Sequence, residues 1–253
     1  MSMLIDRPLA IFLFSLIILW LSVRTGARVA RNLRPVREEH REDLGLVINA
    51  SLTLLALIIG FSFSMAVSRY DQRKNYEEEE ANAIGTEYVR AGLLPAGNAA
   101  KVRALLKQYL DQRLLFYTTR NSGRLQQADS DTAKLQQQMW SEVERTATTQ
   151  STPTIALVAA GMNDVLNSQG YTQAAWWNRI PTGAWCLMLA LAICCSLLIG
   201  YGAHGKGSLL FAVLPFIVSL AFFLIADIDS PRRGVIRVPP QNLISLSQSL
   251  RGQ

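Results

Sequence analysis

The sequence predicts an all-α, multi-pass membrane protein with four transmembrane helices and a helical soluble domain between the second and third. Half of its 253 residues are hydrophobic and 17% are charged, yet the mean hydropathy is only +0.18, so the apolar residues must be clustered. They fall into four runs, 9–23, 44–68, 183–202 and 208–226, each close to the roughly twenty residues that cross a bilayer core as a helix. Between the second and third runs the chain is polar, and its apolar residues recur at helical spacing with no competing strand alternation. These observations divide the chain into a first transmembrane pair at 1–68, a helical domain at 69–180, and a second transmembrane hairpin with a C-terminal tail at 181–253.

The first run follows Arg7 and precedes Thr25, Gly26 and Ala27, a pattern shared with secretory signals that end in small residues. Arg24, Arg28, Arg31 and Arg34 stand just beyond it, and positive charge there resists export, which favours a retained anchor. The second run continues without a breaker into a charged segment, because no proline occurs between Pro35 and Pro95. A helix over 44–95 would be a rod of about 75 Å at 1.5 Å per residue. In the domain, Val102, Leu105, Leu106, Tyr109, Leu110 and Leu114 mark one helical face over 98–119. A second helix is expected over 129–145, starting at Asp129, with Leu135, Met139, Trp140 and Val143 on one side. A third is expected from Thr154, after Pro153, to Leu166. These faces are narrow, so the domain has a modest core that calls for a partner surface. The third and fourth runs are separated only by the glycine-rich YGAHGKGS, which implies a helical hairpin.

Four spans place both termini and the central domain on one side of the membrane. Charge barely decides which side: Arg7, Arg69, Arg73, Lys74, Arg179, Arg232, Arg233 and Arg237 on that side nearly balance Arg24, Arg28, Arg31, Arg34, Arg37, Arg41 and Lys206 on the other. The net charge of +6 reads as loop arginines beside lipid headgroups. No basic stripe interleaved with aromatics points to nucleic acid. Cys186, Cys194 and Cys195 all lie within the third span, and His40 and His204 lie in loops without ligand neighbours. No disulfide, metal or cofactor is therefore expected. No catalytic residue is assigned, since the chain has neither a phosphate-binding glycine loop nor a Ser-His-Asp set, and an enzyme is not expected.

In the second span Asn49, Thr53, Gly60, Ser64 and Ser68 recur every three or four positions, with Ala56 or Leu57 between, as a stripe on one helical face. Small residues let helices pack closely in lipid, and hydroxyls bond across helices. Equally, polar groups within a membrane turn toward a bundle interior or a water-filled cavity. Phe61 and Phe63 flank the stripe, and Phe63 is a candidate for a hydrophobic constriction. Arg69 and Arg73 follow, a candidate cationic collar that would concentrate anions. Most charges in this region fit a solvated or paired face: Arg73 and Glu77, like Lys74 and Glu78, are four apart. The adjacent Glu77, Glu78, Glu79 and Glu80 point all around the helix, so they do not line one opening. Asp227 and Asp229 end the fourth span beside Arg232 and Arg233; two carboxylates are few for calcium, and a structural ion pair with Arg69, Arg232 or Arg233 is expected.

The string GFSFSMAVSRYDQRKNYEEEEANAIGTEYVRAGLLP, from Gly60 to Pro95, resembles the bacterial bestrophin-like domain family, and DIDSPRRGVIRV, from Asp227 to Val238, adds a weaker likeness. The layout of nearly the whole chain agrees. The family is distantly similar to the bestrophin anion channels, pentamers with four spans per subunit, cytosolic termini and a helical cytosolic domain. The resemblance implies a cytoplasmic central domain and a pore lined by the second span, with Gly60, Ser64 and Ser68 at the neck. It departs from bestrophins there, whose necks carry bulky apolar side chains, and in lacking the acidic run of their calcium clasp.

The functional expectation is a bestrophin-like, chloride-type anion channel of the bacterial inner membrane. It would act as a homo-oligomer, a pentamer by the resemblance, with membrane lipid and small anions as partners and no nucleic acid. The alternative is a non-conducting scaffold or sensor whose helical domain binds a protein partner.

Overall fold

The structure is a computed structural model that describes residues 7–32, 41–150, 152–202 and 210–252. Among these, eight α-helices follow one another: α1 (Pro8–Asn32), α2 (Arg41–Arg90), α3 (Ala96–Thr118), α4 (Ser122–Thr149), α5 (Pro153–Trp177), α6 (Thr182–Gly202), α7 (Leu210–Asp229) and α8 (Gln241–Arg251), with a 3₁₀ turn at Ala91–Leu93. No strand occurs among the described residues. Four stretches are long and apolar enough to cross a membrane: Pro8–Asn32, Arg41–Leu93, Pro153–Gly202 and Phe211–Asp229. The glycine-rich connection expected between α6 and α7, with His204 and Lys206, lies outside the described residues, as do Arg34, Pro35, Arg37 and His40.

Two compact units result, one made of residues up to Tyr70 with Arg179–Arg237, the other of Asp71–Asn178 with the chain from Val238 onward. In the first, α1 packs on both α6 and α7. Leu19, Leu55, Ala66, Met188, Phe222 and Ile225 form part of one core there. The backbones of α1 and α6 nearly touch. A Cβ at Gly26 would stand 2.1 Å from the Leu197 carbonyl oxygen, and one at Gly200 would stand 2.0 Å from that of Val23. The small residues after the first apolar run thus lie inside α1, where they allow close helix crossing. Ser15 and Ser22 donate back to the carbonyls of Ile11 and Ile18, which satisfies their hydroxyls without water.

In the second unit the observed helices are longer than the apolar periodicity marks. The start of α4 is not Asp129: Asn121 caps it, its Oδ1 accepting from the amides of Gly123 and Arg124 at 2.9 and 3.1 Å. Helix α5 is capped by Thr152, whose Oγ1 accepts from Ile155 N, and it runs on to Trp177. Leu135, Met139 and Val143 are buried as expected, but Trp140 turns outward. Phe116, Tyr117 and Trp176 pack their rings within 4.9–5.4 Å of one another, joining the end of α3 to that of α5.

Candidate functional site on α2

Helix α2 carries every residue of the predicted stripe and both arginines of the predicted collar, so its two faces decide what it does. At 3.6 residues per turn, Leu55, Ser62 and Ala66 share one side. All three are buried, and Leu52, Ile58, Ile59 and Val67 pack around them against the core of the first unit. Asn49, Thr53, Gly60, Ser64 and Ser68 point the other way, and all five are exposed. A Cβ added at Gly60 would meet no atom within 4 Å. The stripe's small residues therefore do not serve packing within this chain, in contrast to Gly26 and Gly200. Thr53 donates to the Asn49 carbonyl at 2.8 Å, leaving only acceptor capacity on its hydroxyl for an outside partner. Phe63, 38% exposed, sits about a quarter turn to one side of the stripe, and Phe61 flanks the other.

The two arginines part ways. Arg69 is half-buried, and its Nη1 finds no acceptor among the described residues. Arg73 is fully enclosed: its Nε donates to the Ala175 carbonyl and its Nη2 to that of Asn178, both at 3.2 Å. Its cation thus sits on the carbonyl end of α5, where the helix dipole favours positive charge.

Beyond Arg73 the same helix turns charge inward. Glu77 accepts from Asn242 Nδ2 and from the Leu243 backbone amide, at 2.7 and 3.0 Å, and so caps the start of α8, which has no capping side chain of its own. Glu80 meets Arg113 in a buried ion pair and also accepts from Tyr117 and Thr172 at 3.2 and 3.1 Å. The Arg113 guanidinium lies 4.3 Å over the Phe116 ring. Burial pulls the Arg113 pKa down, and Glu80 together with Tyr109 and Tyr117 more than restores it, leaving it raised. Burial, reinforced by Glu80, pushes the hydroxyls of Tyr109 and Tyr117 up, so both stay protonated. Glu78 and Glu79 remain exposed. Sequence reasoning missed this inward set because its partners lie 33 to 166 residues away. The available signal was spacing: Arg73, Glu77, Glu80, Ile84 and Glu87 recur at helical intervals.

At the end of α7 both acids engage backbone amides. Asp227 accepts from Val235 N and Ile236 N at 2.7 and 2.8 Å, and Asp229 accepts from Ile180 N at 3.1 Å. Gly234 permits this fold-back, since a Cβ there would lie 2.3 Å from the Asp227 carbonyl oxygen.

The fold has close counterparts among solved structures. Crystal structures of a bacterial Bestrophin homolog from Klebsiella pneumoniae superpose on it over nearly their whole length. A tryptophan-to-alanine variant of that protein gives a TM-score of 0.67 at 14% identity, covering 97% of this chain and 98% of the other. The structure solved by Zn-SAD phasing gives 0.66 at 15% identity, covering 95% and 97%. No curated protein sequence matches the chain. Residues 9–243, which contain all four candidate spans except the first residue of α1, match the Bestrophin-like domain. With that match and an all-helical fold shared end to end, the chain belongs to the Bestrophin-like domain family.

Proposed function

We propose that this protein conducts small anions of the chloride type across the bacterial inner membrane. The passage is formed by a homo-oligomer, a pentamer, with α2 of each subunit facing the axis and the helical second unit and both termini in the cytoplasm. One observation carries this reading: the stripe of Asn49, Thr53, Gly60, Ser64 and Ser68 along the α2 span lies on the face that α2 does not use to pack in its own chain. A polar stripe exposed to lipid would leave the Asn49 side-chain amide without partners in hydrocarbon, which costs several kcal/mol in the apolar limit, on the order of 4–8. Facing other copies of itself around water removes that cost.

Arg69 stands one residue beyond the stripe but on the packing side of α2, with its unengaged Nη1 itself buried, so it supports the anion preference through the field of its charge and not by direct contact. Arg73 supports the passage differently, by fixing the end of α5 to α2. Gly60, Ser64 and Ser68 define a small, polar neck, and Phe63 is placed to narrow it from the side.

Chloride flux into liposomes containing the purified protein tests the reading. Wild type is expected to conduct, and Ser64→Leu to change the flux severalfold with the oligomer intact. A particle of one or two subunits, or flux indifferent to Ser64→Leu, overturns the proposed pore. An intact oligomer without flux, whose helical unit captures a defined cytosolic partner, would favour a scaffold instead.

A further inference from the structure

Glu87 is the one charged member of the inward face of α2 whose side chain makes no hydrogen bond with the described residues. It is 0% exposed, and neither carboxyl oxygen accepts a hydrogen bond from any described residue, whereas Glu77 and Glu80 are fully engaged. The carboxyl rests on the backbone of α5 at Gly161, where a Cβ would lie 2.0 Å from Oε2. No methyl group fits between them. The surroundings offer little to an anion. Arg90, one turn on, reaches the same spot, its Nη1 2.6 Å from that Cβ position, but it also lies 3.9 Å from the Asp164 carboxylate of α5. From α3, Arg103 donates to the Tyr88 carbonyl, and both Arg103 and Lys107 cover the Tyr88 ring. The one charged side chain of α8, Arg251, bonds Asp111.

We propose that Glu87 is a proton-binding latch, its neutral carboxyl holding the Gly161 turn of α5 flat against α2, and that loss of the proton to water releases α5 at that turn. An ionised carboxylate enclosed here must gain a donor or water. The nearest donor, Arg90, would leave Asp164 to supply it, and water enters only if α5 lifts. Burial pushes the Glu87 carboxyl from its ordinary 4.5 up to about 8, with Arg90 pulling it down and Asp164 pushing it up. The latch therefore loosens progressively as pH rises through the mildly acidic and neutral range to about 8, and it does so whether or not the protein conducts.

Hydrogen exchange of the full chain in detergent tests it. After correction for intrinsic rates, protection of the amides around Gly161 is expected to fall by up to about tenfold per pH unit as pH rises from 4.5 to about 8, relative to α4, and to level off above that. Glu87→Gln, a neutral mimic, should hold that protection across the whole of that range. A wild type without the fall, or the same fall in Glu87→Gln, overturns the latch. Should Glu87→Gln not fold, Gly161→Ala serves in its place: its Cβ displaces only side-chain atoms and pushes the carboxyl toward water, so the transition should move to lower pH. An unmoved midpoint would also overturn the proposal.

Discussion

The two halves of α2 use polarity in opposite directions. Up to Ser68 the helix buries Leu55, Ser62 and Ala66 and presents Asn49, Thr53, Gly60 and Ser64 away from its own chain. From Arg73 onward it buries Arg73, Glu77, Glu80 and Glu87 and presents Glu78 and Glu79 to solvent. The contrast follows from what each half must satisfy. A span buries mainly apolar side chains, Ser62 excepted, so the amide of Asn49 and the hydroxyls of Thr53, Ser64 and Ser68 are left for another surface. The extension packs against helices that bring Arg113, Asn242 and open carbonyls, so a charge turned inward finds a partner.

The sharpest break in that contrast is a pair of substitutions at adjacent positions. Glu80→Ala leaves the Arg113 guanidinium buried and uncompensated and should cost about 3–5 kcal/mol in unfolding experiments, whereas Glu79→Ala should stay within about 0.5 kcal/mol. Equal effects would mean that the inward charge network contributes nothing.

Two glycines probe the span half in the same way. Gly200→Ala drives a methyl into the Val23 carbonyl, backbone against backbone, and should destabilise the fold by about 1–3 kcal/mol. Gly60→Ala meets open space and should change stability by no more than about 0.5 kcal/mol while altering chloride flux. A Gly60→Ala variant as unstable as Gly200→Ala would show that the stripe packs against protein and not water.

The pH response follows from Glu87. Its folded pKa, raised to about 8 from 4.5, favours the protonated carboxyl, so its contribution to stability is complete below the ordinary value and is lost as pH rises through about 8. Thermal midpoints should therefore decline as pH rises from 4.5 to about 8 in wild type, and less in Glu87→Gln. The smallest effect is expected at Thr53. Its hydroxyl already bonds the Asn49 carbonyl, so Thr53→Val should leave stability within about 0.5 kcal/mol and show only in the flux.

Much of this architecture was legible in the residues. The four apolar runs predict the spanning helices, and the absence of proline after Pro35 predicts that α2 runs unbroken through Arg90. The stripe was legible as a face; its direction was not, because spacing says which residues share a side and never what that side meets. Arg73 shows the limit best. Local spacing offered Glu77 four residues on, yet the guanidinium binds carbonyls 102 and 105 residues away. Likewise Asp227, beside two arginines in sequence, binds the amides of Val235 and Ile236, because Gly234 lets the chain fold back on it. Long-range partners and backbone donors leave no mark in a local window.

The most direct test of the outward stripe is chemical access within a membrane. In a variant lacking Cys186, Cys194 and Cys195, Ser64→Cys and Ser62→Cys are each exposed to a charged, membrane-impermeant thiol reagent with the protein in lipid vesicles. A water-lined stripe predicts rapid modification at 64 and protection at 62; equal protection at both positions would contradict it.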